Sequence, residues 1–353
     1  MAALSPARGR GAQSNASGRF EAAQSEPFDD GWTEHDAEPG RIETTLLVER
    51  PKTIINKVAS EDIGFDRSIN PYRGCEHGCI YCYARPTHAY YGYSPGLDFE
   101  TKLIFKPDAA KLLEQELSKP RYVCKPIHIG GNTDPYQPIE RGLKITRSVL
   151  EVLDRFNHPF SIISKNASIV RDLDILAAMA KRGLVRAALS VTTLDRKLAR
   201  SMEPRSATPE RRLQAVAQLA AAGVPCSVSV APIIPGLTDH EIEAIVVRAA
   251  AAGAAGAHYT LLRLPLEIAE LFREWLAAER PDRAARVMSL VRQTRGGKDY
   301  QSAWNVRMKG EGPLADLIGA RFRRACERAG LNRDQAALDT SQFRVPTTQL
   351  DLF

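Results

Sequence analysis

The amino-acid sequence predicts an α/β fold, a partial (βα)6 barrel of the TIM type followed by a C-terminal helical extension. From about residue 68 onward, short apolar runs of strand length alternate with longer segments of helical period. This alternation is typical of parallel strands joined by crossover helices. Six such units follow one another, which suits a partial barrel, and a doubly wound open sheet is the alternative architecture.

The strand candidates are near-continuous apolar runs, as expected when both faces of a sheet are covered. They span residues 69–73, 126–130, 160–164, 185–191, 225–230 and 257–262. Amphipathic helices are predicted between them at residues 108–117, 143–156, 169–182, 209–222 and 239–252. The helix starts are marked by Thr208 and Thr238, and the helix ends by Gly183, Gly223 and Gly253.

Composition divides the rest of the chain into a leader, an extension and a tail. Residues 1–49 are rich in Ala, Gly, Ser, Asp and Glu, so we predict a mostly disordered N-terminal leader. The barrel is expected over residues 50–264. Helices at 266–278, 282–293 and 313–329 would form the helical extension over residues 265–330, and residues 331–353 are expected to be a flexible tail.

The charge balance permits a polyanionic partner without requiring one. The 353 residues carry 48 basic and 42 acidic side chains, a net charge of +6 at pH 7. The first fifteen residues hold no apolar stretch that could act as a signal peptide, and glycine and proline interrupt the most apolar run, 219–237. We therefore predict a cytoplasmic protein that does not enter a membrane, whose six cysteines are not a disulfide framework.

Three of these cysteines, Cys75, Cys79 and Cys82, stand in Cys-x3-Cys-x2-Cys spacing directly after the first strand candidate. Three thiolates on one loop can converge on a single metal centre. A structural zinc site would need a fourth ligand, and His77 lies inside the loop, where it does not easily complete a tetrahedron. A 4Fe-4S cluster with three cysteine ligands leaves one iron open to a small molecule.

This loop resembles the signature of the radical S-adenosylmethionine (SAM) superfamily, Cys-x3-Cys-x-aromatic-Cys, with Tyr81 in the aromatic position. The resemblance implies a 4Fe-4S cluster held by Cys75, Cys79 and Cys82, with SAM as the second cofactor, chelating the open iron. It also implies a low-potential electron donor and reductive cleavage of SAM to a 5′-deoxyadenosyl radical. The expected site lies at the carboxyl ends of the strands.

A second segment, from Gly130 to Glu140, contains Thr-Asp-Pro-Tyr-Gln-Pro and is similar to a segment of the spore photoproduct lyase-like branch, often labelled DNA repair photolyase. Gly130 lets backbone carbonyls approach a ligand. Asn132, Thr133 and Asp134 are the candidates to accept hydrogen bonds from the SAM ammonium group. The usual superfamily segment ends in glutamate, which is absent here, so the sequence leaves open which of the three makes this contact.

Further cofactor contacts are expected after the fourth and fifth strands. Ser190 and Thr192 end the fourth strand, Glu203 is a candidate acceptor for the ribose hydroxyls, and Arg205 is a candidate partner for the methionyl carboxylate. Ile233 belongs to an apolar segment similar to the one that packs on adenine in the family.

Four single residues on the strand candidates are harder to interpret. Lys165 ends the third strand and is a candidate contact for cofactor or substrate. Cys226 is a candidate catalytic hydrogen-atom donor if it points into the cavity, and a small buried apolar residue otherwise. His128 and His258 could reach the cavity or form hydrogen bonds in the core, and we interpret both as core histidines.

The C-terminus resembles the bacterial sliding-clamp-binding pentapeptide. Its residues are Gln349, Leu350, Asp351, Leu352 and Phe353. In such a motif a few apolar side chains fill a pocket on the partner. An apolar tail folded onto the barrel is the alternative interpretation.

Together these features predict a radical SAM enzyme that abstracts a hydrogen atom, with DNA repair or modification as the first hypothesis. An enzyme acting on a protein or small molecule is one alternative. A non-catalytic iron-sulfur sensor or scaffold associated with the sliding clamp is the other.

Overall fold

The computed structural model describes residues 9–21, 42–333 and 336–346. The strands of this part of the chain lie in two sheets. They are β1 (Thr45–Val48), β2 (Ile55–Lys57), β3 (Arg67–Ile69), β4 (Tyr72–Arg73), β5 (Lys102–Phe105), β6 (Ile127–Ile129), β7 (Phe160–Ser164), β8 (Val185–Ser190), β9 (Cys226–Ile233) and β10 (Gly256–Leu261).

The helices of the same residues alternate with the strands and then follow the last one. They are α1 (Asp98–Thr101), α2 (Ala109–Leu117), α3 (Glu140–Leu143), α4 (Ile145–Arg155), α5 (Leu173–Ala180), α6 (Arg196–Met202), α7 (Pro209–Ala221), α8 (Ile242–Ala251), α9 (Ile268–Glu279), α10 (Ala284–Gln293), α11 (Val306–Lys309) and α12 (Pro313–Arg328). Short 3-10 helices span Arg85–Tyr91, Ala167–Asp172 and Asp239–Glu241. None of the helices described is both long and apolar enough to cross a membrane.

Predicted boundaries are confirmed at Thr208 and at three glycines, whereas the helix predicted over 169–182 begins as a 3-10 helix and becomes α5 at Leu173. Thr208 caps α7 by accepting a hydrogen bond from the Arg211 backbone N–H, and Pro209 occupies the first helical turn. The three glycines predicted to end helices each have a positive φ angle. The start predicted at Thr238 is wrong, because a 3-10 turn follows this residue and α8 begins at Ile242.

The larger sheet carries the predicted barrel. Its strand order is β10-β9-β8-β7-β6-β3-β2, and the pairs from β3 through β10 are all parallel. These six parallel strands keep their chain order, whereas a doubly wound sheet would reverse it at a switch point. The partial (βα)6 barrel is therefore confirmed, and it is open between β10 and β2, the two edges of the sheet.

The first predicted strand, 69–73, is divided between the two sheets. β3 pairs with β6 in the barrel, while β4 pairs with β5 in a small sheet of order β1-β5-β4. Pro71 lies between them, and it has no N–H group to extend a ladder. The cysteine-containing loop thus begins on the small sheet, beside the barrel.

Side chains along the barrel strands point alternately to the hydrophobic core and to the barrel interior. On β9, Val228 and Val230 face the main hydrophobic core beneath the helices. Ser229, between them, lines the interior cavity described below. Small polar residues on the inward face leave space inside the barrel, which bulkier apolar side chains would fill.

Parts of the predicted leader pack against the protein, so the expectation of disorder is wrong for residues 9–21 and 42–49. Arg10 donates a hydrogen bond to the Glu100 carbonyl at 2.8 Å, and the N–H groups of Gly11 and Ala12 each donate to the Glu100 carboxylate at 2.9 Å. β1 is added in parallel to β5. Hydrogen bonds of the backbone hold the first of these segments, and composition does not reveal such bonds. The rest of the leader lies outside the described residues.

Residues 332–333 and 336–344 form a segment that we name the lower clasp, because it crosses the amino ends of the barrel strands. Asn332 exchanges hydrogen bonds with the backbone of Ala257 at 2.8 and 2.9 Å, near the start of β10. The Asp339 N–H then donates to the Gly183 carbonyl at 3.1 Å, just before β8. The lower clasp therefore ties an edge strand of the open barrel to its centre.

The lower clasp ends in an aromatic cluster. The Phe343 ring lies 5.4 Å from Tyr122, 6.4 Å from Phe156 and 5.5 Å from His158, measured between ring centroids. The predicted flexibility of the tail is therefore wrong for residues 336–346. The predicted clamp-binding motif, residues 349–353, lies outside the described residues.

An ion pair, which we name the side latch, joins the segments on either side of the open edge. Asp62, in the loop between β2 and β3, accepts hydrogen bonds from Arg307 Nε at 2.8 Å and from the Asn305 N–H at 3.1 Å. Arg307 belongs to α11, which packs against β10. The side latch thus connects the two edges of the barrel sheet through their flanking loops.

Candidate active site

The three cysteines of the motif lie on one loop and line one cavity. Their loop is fixed by backbone hydrogen bonds to two distant segments: Cys75 N–H donates to the Phe99 carbonyl at 2.9 Å, and Ile80 N–H donates to the Met202 carbonyl at 3.0 Å. Cys75 and Cys79 are buried, and Cys82 is partly exposed. The spacing in sequence therefore does bring the thiols to a common site.

A buried ion pair braces this loop from behind. Arg85 donates to the carbonyls of Cys79 at 2.9 Å and Gly78 at 3.0 Å, and its guanidinium also contacts the Glu100 carboxylate. Both side chains of the pair are fully buried. Gly78 has φ +64°, and a Cβ there would lie 2.5 Å from Glu100 Oε2, so glycine is required for this close approach.

The cavity has a volume of about 270 Å³ and opens at the carboxyl ends of the barrel strands. One layer of its wall consists of Ser190, Ser229 and His258, which lie in register on β8, β9 and β10. Thr260 also lines it. The cysteines therefore adjoin an interior space whose mostly apolar wall carries a few polar side chains, the arrangement expected for a small-molecule site.

Burial raises the pKa of all three thiols. At Cys75 the negative charge of Asp134 adds to the effect of burial, and at Cys79 the charge of Glu203 does. A positively charged metal centre would lower the pKa of these thiols, because cysteines bind a metal as thiolates.

The donor set fits an iron-sulfur cluster better than zinc. In the part of the chain that the structure describes, no three His, Cys, Asp or Glu side chains converge on a single ion. His77, considered above as a fourth zinc ligand, instead places Nδ1 3.3 Å from Asp134 Oδ2. Structural zinc needs four ligands around one ion, whereas the three cysteines of a cluster each bind a different iron.

Six of the predicted cofactor-binding residues line the cavity, and four do not. The six are Tyr81, Gly130, Asn132, Thr133, Asp134 and Ser190. The four that do not line it are Thr192, Glu203, Arg205 and Ile233. Residues of both groups have hydrogen-bond partners within the protein.

Thr133 and Asp134 already have protein partners. The Thr133 hydroxyl donates to the Tyr72 carbonyl at 2.8 Å. The Asp134 carboxylate accepts from Ser164 Oγ and from the Lys165 N–H, both at 2.7 Å. Burial would raise the pKa of Asp134, but the neighbouring His77 and these hydrogen bonds lower it to about 2. Asn132 differs, because its side chain makes no hydrogen bond to the described residues and is available to a ligand.

Glu203 lies behind the cavity wall and does not line it. Its carboxylate pairs with the buried Arg212 and accepts from Thr192 Oγ1 at 2.7 Å. The hydroxyl of Tyr81 also contacts this carboxylate and lies 3.2 Å from Thr192 Oγ1. Glu203 and Thr192 therefore hold the aromatic ring of the cysteine motif in place.

Arg205 and Ile233 also make contacts away from the cavity. Arg205 Nη1 lies 3.4 Å from Glu76 Oε1, within the cysteine loop. Ile233 is buried in the main core, while its neighbours Ala231 and Pro232 line the cavity. The structure therefore places neither side chain on the cavity wall.

Cys226 does not reach the cavity, so its interpretation as a hydrogen-atom donor is wrong and the alternative, a small buried apolar residue, is confirmed. Its side chain is buried in the main core with Val228 and Val230, on the outward face of β9. Burial raises its pKa to about 12. The physical reason is the period of two along a strand, which places Ser227 and Ser229 on the inward face.

The structure adds residues that the sequence did not single out as site residues. Tyr83, Ser229, Thr260, Arg263 and Met308 line the cavity. The candidate contact Lys165 also lines it, and so does His258, for which the interpretation as a core histidine is wrong. His128 is hydrogen-bonded to Ser161 at 2.8 Å and stacked on Phe65. The alternation of serine and valine from Cys226 to Val230 was a usable signal for Ser229.

A partial barrel with three clustered thiols at the carboxyl ends of its strands defines a class of protein: barrel enzymes with a cysteine-bound metal cofactor beside a small-molecule site. The sequence model of the Radical SAM superfamily matches residues 69–249. The chain belongs to this superfamily. It is accordingly a radical SAM enzyme, and its cofactors are a 4Fe-4S cluster and SAM.

Relatives and solved structures agree with this membership. An uncharacterized protein of Mycobacterium tuberculosis is 36% identical over 245 residues, which is 69% of this chain and 72% of that protein. An uncharacterized protein of Methanocaldococcus jannaschii is 29% identical over 173 residues, 49% of this chain and 62% of that protein.

Among solved structures, spore photoproduct lyase complexed with dinucleoside spore photoproduct gives a TM-score of 0.58 at 17% identity, covering 80% of this chain and 79% of that one. A variant of the same lyase with bound AdoMet and dinucleoside spore photoproduct gives 0.57 at 16% identity, covering 80% and 78%. The chain thus shares the fold of spore photoproduct lyase.

Proposed function

We propose that Cys75, Cys79 and Cys82 hold the 4Fe-4S cluster, and that SAM occupies the adjoining cavity. The observation that carries this assignment is that three thiols line one cavity at the carboxyl ends of the strands. When bound, these cofactors supply a 5′-deoxyadenosyl radical, made with one electron from a low-potential donor, that abstracts a hydrogen atom from the substrate.

The residues of the cavity wall divide into contact and positioning groups. Asn132 has a side-chain oxygen without a hydrogen-bond partner among the described residues, which is available to accept from the SAM ammonium group, and Lys165 offers a positive charge to the SAM carboxylate. Ser190 and Gly130 line the remaining surface. Asp134 positions His77 and the Lys165 backbone, so it acts on the site through its neighbours.

We infer that the substrate is DNA. The fold likeness to a lyase complexed with a dinucleoside photoproduct, the Thr-Asp-Pro-Tyr-Gln-Pro segment and the net charge of +6 support this substrate class. Repair or modification of a base or sugar by hydrogen abstraction is the corresponding activity.

The cofactor assignment is tested by anaerobic reconstitution with iron and sulfide, reduction with dithionite and chromatographic assay of 5′-deoxyadenosine. We expect Cys79→Ala to lose the cluster and the product. Cys226→Ala is the matched control, because it removes a buried thiol outside the cavity, and it should keep both. Full iron content in Cys79→Ala would contradict the ligand assignment. An intact, reducible cluster that never yields product would favour the non-catalytic sensor.

The substrate assignment is tested with DNA that carries deuterium in its deoxyribose and thymine methyl groups. We expect UV-irradiated or undamaged DNA to raise the rate of 5′-deoxyadenosine formation, with deuterium appearing in that product. Peptides of mixed sequence serve as the control. Stimulation by peptides alone, or product without deuterium from any DNA, would contradict DNA as the substrate.

We also propose that residues 349–353 bind the bacterial sliding clamp. The support is the sequence match, with apolar anchors at Leu350, Leu352 and Phe353. In a pull-down with purified clamp, the double variant Leu352→Ala/Phe353→Ala should lose binding. The neighbouring double variant Thr347→Ala/Thr348→Ala should keep it. Unchanged binding after deletion of residues 349–353 would refute the proposal.

A further inference from the structure

The cavity wall after β10 carries an arginine whose charge has no carboxylate partner among the described residues. Arg263 follows β10 by two residues and lines the cavity. Its guanidinium lies 5.0 Å from the centre of the Tyr83 ring, and Nη1 lies 3.5 Å from Met308 Sδ, a weak acceptor. Its Nε is buried with no hydrogen-bond partner in this part of the chain. Because an unpaired buried donor is unfavourable, this position favours a ligand that accepts hydrogen bonds.

Two other arginines near this wall contact protein groups, although the Nε of Arg295 is also buried without a hydrogen-bond partner in the described residues. Arg307 pairs with Asp62 in the side latch. Arg295 donates to the carbonyls of Val306 at 2.6 Å and Leu262 at 2.7 Å. Burial, and after it the charge of Arg263, lowers the pKa of Arg295 to about 10. The positive charges near this wall therefore outnumber the carboxylates that pair with them. Arg263 is the one of these three arginines that lines the cavity.

Arg263 is also separated from the side of the cavity assigned to SAM. Lys165, a cation of the cavity wall whose charge acts on Cys79 and Cys82, follows β7, whereas Arg263 follows β10, the edge strand. Three strand spacings correspond to about 14 Å along the sheet. Arg263 therefore lies at the open side of the barrel, where a large substrate has access.

We propose that Arg263 binds a backbone phosphodiester of the substrate strand. This inference rests on the proposed DNA substrate and assigns a residue to its recognition. A guanidinium presents a planar fork of donors that matches phosphate oxygens, and its stacking on Tyr83 fixes the plane of that fork. Tyr83 and Trp304 are 44% and 43% exposed. Exposed aromatic rings beside cations are typical of surfaces that bind single-stranded nucleic acid, which favours DNA over an acidic peptide.

The test is anaerobic equilibrium dialysis of the reconstituted holoenzyme with SAM present. The probes are the thymidine dinucleotide TpT and its uncharged methylphosphonate analogue. Arg263→Met removes the charge and keeps the aliphatic stem, and Arg263→Lys keeps the charge without the fork. Arg324→Met, at an exposed position of α12, is the matched control for loss of one charge. Iron content and SAM binding are measured on every variant to identify those that fold.

We expect the parent and Arg324→Met to bind TpT more tightly than its analogue, and Arg263→Met to bind TpT roughly 10- to 100-fold more weakly, with no preference between the probes. Arg263→Lys should be intermediate and gives the same comparison if Arg263→Met does not fold. TpT binding that keeps its charge preference in the Arg263 variants would overturn the role of Arg263 and leave the DNA proposal standing. If the parent binds neither probe while still cleaving SAM, both proposals fail together.

Discussion

Substitution of Arg85 by methionine tests the brace behind the cysteine loop. Arg85 and Glu100 are both fully buried, so removal of the guanidinium leaves a carboxylate in the interior without its charge partner. Breaking a buried pair in this way costs about 3 to 5 kcal/mol. An unfolding entropy of about 2.1 cal/mol/K per residue over 353 residues gives about 0.7 kcal/mol per degree. We therefore expect the Tm to fall by about 4 to 7 °C.

The assay for this prediction is thermal unfolding followed by circular dichroism, with iron and sulfide content measured after reconstitution. Iron content should fall as well, because Arg85 holds the carbonyls of Gly78 and Cys79 in the loop. Arg321→Met is the control, since it breaks the exposed pair with Glu243 and should cost less than about 1 kcal/mol, or roughly 1 °C. A Tm for Arg85→Met within about 1 °C of the parent, with full iron content, would refute the brace.

Three further contacts yield predictions of the same kind. Gly78→Ala should destabilise the protein by more than about 1 kcal/mol in denaturant unfolding, because Gly78 has a positive φ angle. Gly64→Ala is the control and should cost less, since a Cβ there meets open space. Equal losses of unfolding free energy in the two variants would contradict this account. Phe343→Ala should lower the free energy of unfolding by about 2 to 3 kcal/mol, less than for a fully buried ring, because Phe343 is only partly buried. Val345→Ala, at an exposed position, is the control. A loss for Phe343→Ala no larger than that of the control would show that the lower clasp does not stabilise the fold. For Asp62, the hydrogen bond from Arg307 lowers the pKa from 3.8 to about 2, so its ionised form stabilises the fold above about pH 4 and this stabilisation disappears as the pH falls towards 2. The difference in unfolding free energy between parent and Asp62→Asn should shrink over that range, and a constant difference would count against the side latch.

The barrel and the cysteine loop were predictable because local sequence encodes them. Buried parallel strands require continuous apolar runs, and a cluster loop requires its cysteines at short spacing. The position of a polar side chain relative to the cavity depends instead on partners far away in the chain. Glu203 was expected to contact the cofactor, but the buried Arg212 and the hydroxyl of Tyr81 occupy its carboxylate. No local pattern announces that arrangement.

Two further differences between prediction and structure concern the inward face of β9 and the backbone hydrogen bonds of the leader. On β9 the sequence identifies the strand, but whether Cys226 reaches the cavity depends on which face of the strand points inward. A shift of one residue reverses that orientation. The leader was judged by its low apolar content, yet Gly11 and Ala12 are held by hydrogen bonds from their backbone to a single buried carboxylate. Composition measures side-chain burial and is insensitive to such contacts.

The lower clasp also limits the reach of the tail beyond it. The clasp ends at the amino side of the strands, and the proposed clamp-binding motif begins three residues after Pro346, a span of at most about 11 Å when fully extended. β9 alone, with eight residues, is about 26 Å long. The attachment point of the proposed motif therefore lies at one end of the barrel, while the cavity opens at the other. If the motif binds the clamp as proposed, the clamp is tethered at the end away from the cavity.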